Sequence, residues 1–298
     1  MKLLVTPSNQ DYLLALYDAE SMQMRLVAAD KKHEDHRSDH SRPPIRPYGI
    51  TWDSENVFVA NRSNMVVLDK DYNTVDVVKG ILDQNTHQIT HKGSVILATM
   101  TRCDCISFID MRDWSKRYFH PHYGWIEGRP RDLFGREEKH HINSVVWKGD
   151  LVYILLNNRG RGSSRVAVLD MRTELTEWVS DLDALMAHGL YVGPEGIGTL
   201  DTGGKRDLLL GKERTTLYVS EQGYCRGLAG NSDTLFCGHF KKPHHWGEGG
   251  SILKIVSRGV LSGSRILDGI GAINDIRLID DKDFCHWNED KFPACTET

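Results

Sequence analysis

The stretch Tyr48-Gly49-Ile50-Thr51-Trp52, followed by Asp53-Ser54-Glu55-Asn56 and then Val57-Phe58-Val59-Ala60-Asn61, decides how the chain is read. It is a short apolar run opened by an aromatic residue, a polar turn, and a second β-rich run. β-Branched and aromatic residues bounded by Asp, Ser and Asn have the composition of a strand hairpin. The pattern recurs. His87-Gln88-Ile89-Thr90-His91 turns at Lys92-Gly93-Ser94 and continues Val95-Ile96-Leu97-Ala98-Thr99. His141-Ile142-Asn143-Ser144-Val145 runs through Trp147, turns at Lys148-Gly149-Asp150 and continues from Leu151 to Asn157. Further copies open at His188-Gly189-Leu190, at Arg226-Gly227-Leu228 and at Ile273-Asn274-Asp275. Aligned on the turn, the opening residues are Tyr48, His87, Asn143 (with His141 two before it), His188, Arg226 and Asn274.

These openings lie 39, 56, 45, 38 and 48 residues apart (48 to 87, 87 to 143, 143 to 188, 188 to 226, 226 to 274). A repeat of about 40–50 residues with four short strands predicts a β-propeller, one blade per unit. Residues 3–29 already hold three strands, matching the second to fourth strands of the next unit, and the segment 274–279 supplies a spare first strand. The expectation is a single all-β domain over 1–298: a six-bladed β-propeller whose ring closes by N-terminal strands pairing with a C-terminal strand. The blades fall at about 274–298 plus 1–30, 47–82, 86–120, 141–180, 187–222 and 225–269. One blade cannot bury both its faces, whereas a ring covers every face with a neighbour. Only 181–187 reads as a short helix.

With 298 residues the chain can bury a large core. A net charge of −4 gives no electrostatic case for nucleic acid or an anionic membrane. The run 159–165, with three arginines, reads as a hairpin loop. No apolar stretch has the length of a signal peptide or a membrane span, and six scattered cysteines lack the density of a disulfide scaffold. Cys103-Asp104-Cys105 is too closely spaced for a zinc knuckle. These features lead to an expected cytoplasmic protein with reduced thiols and a small-molecule partner. The oligomeric state is left open.

Gly-Ile-x-Trp, a polar turn and Val-Phe-Val-Ala-Asn (49–61) resemble a blade of the six-bladed group that includes gluconolactonase and senescence-marker-type proteins, strictosidine-synthase-like proteins and NHL-repeat propellers. Ile273-Asn274-Asp275, with Asp280 beyond it, resembles the Asn-Asp element that helps hold the metal in the gluconolactonases. The resemblance implies a lactonase-like site at the channel mouth. Those enzymes carry a glutamate where this chain has Tyr48, so only Asn274 carries over.

Histidine is the unusual residue, with 14 copies. Propeller topology puts the openings of the first strands, and the long connections 31–47, 120–140 and 239–250, around one mouth. His33, His36, His40, His87, His120, His122, His140, His141, His188, His239, His244 and His245 fall in these places. In one reading, His87, His141 and His188 bind a divalent transition metal such as zinc, iron or manganese, which activates water or polarises a carbonyl. In another, the imidazoles are metal-free acid–base groups, with Arg226 clamping an anion. In a third, they only hydrogen-bond to loops and water. Tyr48, Asn143, Asn274, Arg62, Arg102, Asn158, His239 and His245 are candidates for substrate binding. Asn61, Thr101, Asn157, Arg159, Asp201 and Thr202 also end second strands; turn chemistry is their plain alternative. His244, His245 and Trp246, with Trp125 and Tyr123, could form an aromatic lid, and Arg129 and Arg131 could add positive charge for an acidic ligand. No Gly-x-Ser-x-Gly elbow, phosphate loop or His-Glu-x-x-His occurs. The function expected is a metal-assisted hydrolase, lactonase-like, or a lyase acting on a small polar or anionic substrate. The alternative is a non-catalytic ligand- or protein-binding module.

Overall fold

A computed structural model describes residues 1–8, 12–29, 47–61, 63–82, 86–134, 139–179, 182–204, 206–210, 215–218, 224–240 and 251–293. Arg62, His245 and the connections 31–46 and 241–250 lie outside these residues.

The chain opens with β1 (Lys2–Pro7), β2 (Tyr12–Asp18) and β3 (Gln23–Ala29). β4 (Pro47–Trp52), β5 (Val57–Asn61), β6 (Asn64–Leu68) and β7 (Thr74–Val78) make the next sheet. β8 (Ile89–Lys92), β9 (Val95–Met100), β10 (Cys105–Asp110), β11 (Lys116–His120) and β12 (Gly124–Ile126) make a five-stranded one. Then come β13 (Ile142–Lys148), β14 (Leu151–Leu156), β15 (Arg165–Asp170) and β16 (Thr176–Val179). β17 (His188–Gly193), β18 (Gly196–Asp201), β19 (Arg206–Leu210) and β20 (Thr215–Tyr218) follow. The last full sheet holds β21 (Tyr224–Gly230), β22 (Thr234–Phe240), β23 (Ser251–Ser257) and β24 (Val260–Leu267). β25 (Ile273–Leu278) returns to pair with β1, Leu4 opposite Arg277 and Val5 opposite Ile276. The architecture is an all-β propeller fold, with neighbouring strands antiparallel within each sheet.

An apolar layer lies between each sheet and the next. Leu4 and Leu14 pack on Ile50 and Val59; Phe58 and Met65 on Ile89 and Ile96; Leu97 and Phe108 on Val145 and Ile154. Val146 and Leu155 pack on Leu190 and Val192, Tyr191 and Leu200 on Leu228 and Cys237, and Ala229 and Phe236 on Leu3 and Ile276. This is why β5 is buried at every position instead of alternating. Each fully buried Leu, Ile or Phe contributes about 1.5–3 kcal/mol. The first strands touch in order, β4 to β8, β13, β17, β21 and β25, and β25 touches β4.

The residue after each opening is a glycine or a polar side chain, and close packing explains the choice. Gly189 has φ +67°, and a Cβ there would lie 2.8 Å from Leu228 Cβ. Where the residue is polar, it accepts from the neighbouring strand: Gln88 Oε1 from Val145 N (2.7 Å), Ser144 Oγ from Gly189 N (3.0 Å), Asp275 Oδ2 from Ile50 N (3.1 Å).

Two sequence-based expectations need correction. Residues 182–187 are not helical. Asp183 and Met186 take φ of 52° and 51°; Leu185 N donates to Asp201, Ala187 N to Ser164 Oγ and Leu182 N to Ser164 O, so these donors are answered from outside the segment. Among the described residues the α-helix is α1 (Pro130–Phe134), opened by a proline at the position that needs no N–H. Trp125 is not part of a lid. It lies on β12, paired outside β11, and packs on Phe108 and Phe119 at 4.9 and 5.4 Å with Arg117 over its ring. Among the described residues no helix is long and apolar enough to cross a membrane.

Candidate functional site

The N-terminal ends of the first strands converge on one small cavity. His87 stands two residues before β8; its backbone N–H donates to Thr99 Oγ1 on β9 (2.9 Å), as does that of Gln88 (3.1 Å). His141 precedes β13 at φ +50°, a conformation that costs a non-glycine residue about 1 kcal/mol or more. Asp104 holds it there, accepting from His141 N at 2.7 Å and from His140 N at 3.0 Å. His188 opens β17, and its Nδ1 lies 2.9 Å from Met186 O and 3.1 Å from Thr202 Oγ1. A carbonyl only accepts, so Nδ1 carries the proton and Nε2 presents a lone pair. That Nε2 is buried and meets no hydrogen-bond partner.

One ligand nitrogen from each of His87, His141 and His188 lies within 4.8 Å of the others. The rings of His87 and His141 meet edge to face at 5.1 Å, and His87 stacks on Tyr48 at 5.5 Å. All three imidazoles are held neutral. Burial lowers His87 and His188 well below the ordinary histidine value, with the Arg226 guanidinium adding to the effect. Burial, then Arg159 and Arg226, brings His141 to about 4. Neutral imidazoles at this separation can ligate a metal, while protonated ones could not.

The cavity has a volume of about 20 Å³, close to that of one ion or water. Tyr48, His87, Asn143, His188, Arg226 and Asn274 all contribute to its wall, as do Gln88 and Asp275; His141 does not line it and stands beside it, against His87. Asp275 is spoken for by the buried Arg277, Oδ1 at 2.7 Å and Oδ2 at 2.6 Å. Burial still pushes Asp275 up to about 7.

Other sequence candidates sit elsewhere. His239 lies in β22 opposite Cys225, on a second strand, and does not line the cavity. Asn158 belongs to a 3-10 turn, Asn158–Gly160, where it meets His140 Nδ1 and donates to Ser163 O. Arg102 follows β9 and is absent from the cavity wall. Tyr123 stacks on Phe134 at 5.4 Å. His120, His122 and His140 form a separate aromatic group with Phe134 and Trp178.

The ends of the second strands act as staples instead. Thr6 Oγ1 donates to Tyr48 O (2.8 Å), Thr101 Oγ1 to Ile142 O (2.7 Å), Asn157 Nδ2 to Ala187 O (2.9 Å) and Thr202 Oγ1 to Cys225 O (3.0 Å). Each fixes the opening of the next sheet's first strand. Sequence reading missed Asp104 and Thr99. Asp104 is 37 residues from His141, and only the left-handed backbone at His141 shows what it holds.

No family model matches the sequence, and no curated protein matches it. Solved structures do. One chain of the crystal structure of a nidogen/laminin complex superposes with a TM-score of 0.64 at 12% identity, over 93% of this chain and 97% of that one. A protein of unknown function from Bacteroides caccae gives 0.59 at 11% identity, over 94% and 99%. Likeness at this identity shows the fold, that of a β-propeller.

Proposed function

We propose that the six sheets are blades of one closed ring, and that His87, His141 and His188 hold a divalent transition metal in a hydrolase or lyase acting on a small anionic substrate. Ring closure is supported by the pairing of β25 with β1 and by the unbroken run of contacts among first strands. The observation that carries the metal reading is the approach of three neutral ligand nitrogens to within 4.8 Å. Imidazole donors suit zinc, iron or manganese. Such a metal, bound by three protein ligands, supplies an activated water or polarises a carbonyl. Arg226 opposes cation binding on its own, but it draws an anionic group to the same place. Five buried cysteines, Cys103, Cys105, Cys225, Cys237 and Cys285, form no disulfide, which supports a cytoplasmic setting.

Elemental analysis of tag-free protein tests the proposal. One transition metal per chain is expected, and His188→Ala should reduce its affinity at least tenfold with little loss of fold. A metal-free protein that takes up no zinc, iron or manganese would overturn it. The narrow cavity favours a second reading, a non-catalytic binding module, since about 20 Å³ is close to the room one ion or water needs. A metal-free protein that binds a protein or ligand on its rim would establish that reading.

A further inference from the structure

Three polar atoms in the cavity wall are buried, accept hydrogen bonds, and meet no partner: His188 Nε2, Asn143 Oδ1 and Asn274 Oδ1. The orientation of each is fixed from behind. His188 is fixed through Nδ1, Asn143 by donating Nδ2 to Ala187 O (2.8 Å), and Asn274 by donating Nδ2 to Pro47 O (2.8 Å). An amide anchored by its nitrogen must present its oxygen. The side-chain oxygens of Gln88, Ser144 and Asp275 are occupied, Gln88 Oε1 by Val145 N, Ser144 Oγ by Gly189 N and the Asp275 carboxylate by Arg277. Leaving a buried acceptor unanswered costs about 1–3 kcal/mol, so lone pairs collected in one cavity call for an electron-poor guest.

The two amides differ in position. Asn143 stands on β13, between the strands of His87 and His188 and two residues beyond His141. Its anchor, Ala187 O, belongs to the residue before His188. Asn274 stands on β25, which is separated from β13 by two first strands in either direction. We propose that Asn143 Oδ1 is a fourth protein donor to the metal of the preceding subsection, completing a three-nitrogen, one-oxygen set, while Asn274 Oδ1 lies outside it. The inference rests on that metal reading. All four donors are neutral, so the ion keeps its full charge, and with Arg226 alongside, its open positions take an anionic ligand. The resemblance drawn from sequence carried Asn274 over; the placement of the amides selects Asn143.

The test titrates metal-free protein with Co²⁺ alone, following affinity and visible absorption. Asn143→Ala should bind at least tenfold more weakly. Asn143→Asp keeps an oxygen but loses Nδ2; it should bind as tightly as the parent or tighter, with a shifted absorption band. Asn274→Ala should match the parent. Asn157→Ala, which removes the other donor to Ala187 O, should match it too. Unchanged affinity in Asn143→Ala, equal losses in Asn143→Ala and Asn157→Ala, or a loss confined to Asn274→Ala would each overturn the assignment. A parent that binds no Co²⁺ would overturn the metal reading itself, a different result from binding that ignores Asn143.

Discussion

The two ends of the first strands are finished in opposite ways. Across their C-terminal ends runs the segment 280–293. Asn288 donates to Trp52 O, Trp52 Nε1 to Asp290 O, and Thr90 Oγ1 to His286 O. Trp287 Nε1 donates to Val192 O, Phe284 N to Gly230 O, and Leu278 N to the Asp283 carboxylate. Lys148 lies over the Trp287 ring at 4.4 Å. Every first strand is touched. Above this floor sits Arg277, fully buried, bound to Asp275 and donating to Ile50 O, Ile89 O and Ile276 O. At the N-terminal ends the wall instead ends in acceptors with nothing to accept. The floor is not perfect, since His286 Nδ1 also lacks a partner there. The contrast teaches that one end is built for cohesion and the other gives up hydrogen bonds that a guest can restore.

The sharpest way to break this contrast is Arg277→Met. It strands Asp275 in the core, and a loss of about 3–5 kcal/mol is expected in denaturant unfolding. Asp275, already raised to about 7 by burial, then has its protonated form favoured further. A carboxyl whose folded value lies above its unfolded one gains relative stability as pH falls, so the deficit should shrink from pH 8 to pH 5. A deficit that is flat with pH would show that the ion pair is not the centre of the floor.

Trp287→Ala is expected to cost less, about 2 kcal/mol, because the ring is only half buried. Metal affinity should not change. An affinity loss equal to that of His188→Ala would mean that the two ends are coupled.

The smallest effect concerns His120, which belongs to neither end. Burial, with His122 and His140 beside it, lowers His120 to about 4. The unfolded chain takes up that proton near pH 6.5, so this contribution to stability is complete above 6.5 and is lost as pH falls toward 4. Thermal melts of metal-free His120→Gln should therefore fall less between pH 6.5 and 4 than those of the parent. Equal slopes would count against it.

Much of the architecture was legible because each unit repeats an opening residue, a polar turn and a β-branched run at a regular distance. The approach of His87, His141 and His188 followed from the same alignment. What stayed hidden depends on contacts between units. Asn157 and Thr202 look like rim residues in sequence, yet their partners are Ala187 O and Cys225 O in the next sheet. Trp125 reads as a lid aromatic because its loop is long; it is drawn outward because β11 offers an unpaired edge and Phe108 and Phe119 an apolar face. Asn143 gave no sign of a locked amide, since the carbonyl that locks it is 44 positions further along.

The pairing of Leu3 with Leu278 has a consequence for biosynthesis. β1 and β25 lie far apart in sequence, so β1 leaves the ribosome with an open flank long before its partner is made. Contacts so distant in sequence form slowly, and the exposed edge is where nascent chains would associate with one another. The yield of folded protein should thus depend on how long that interval lasts.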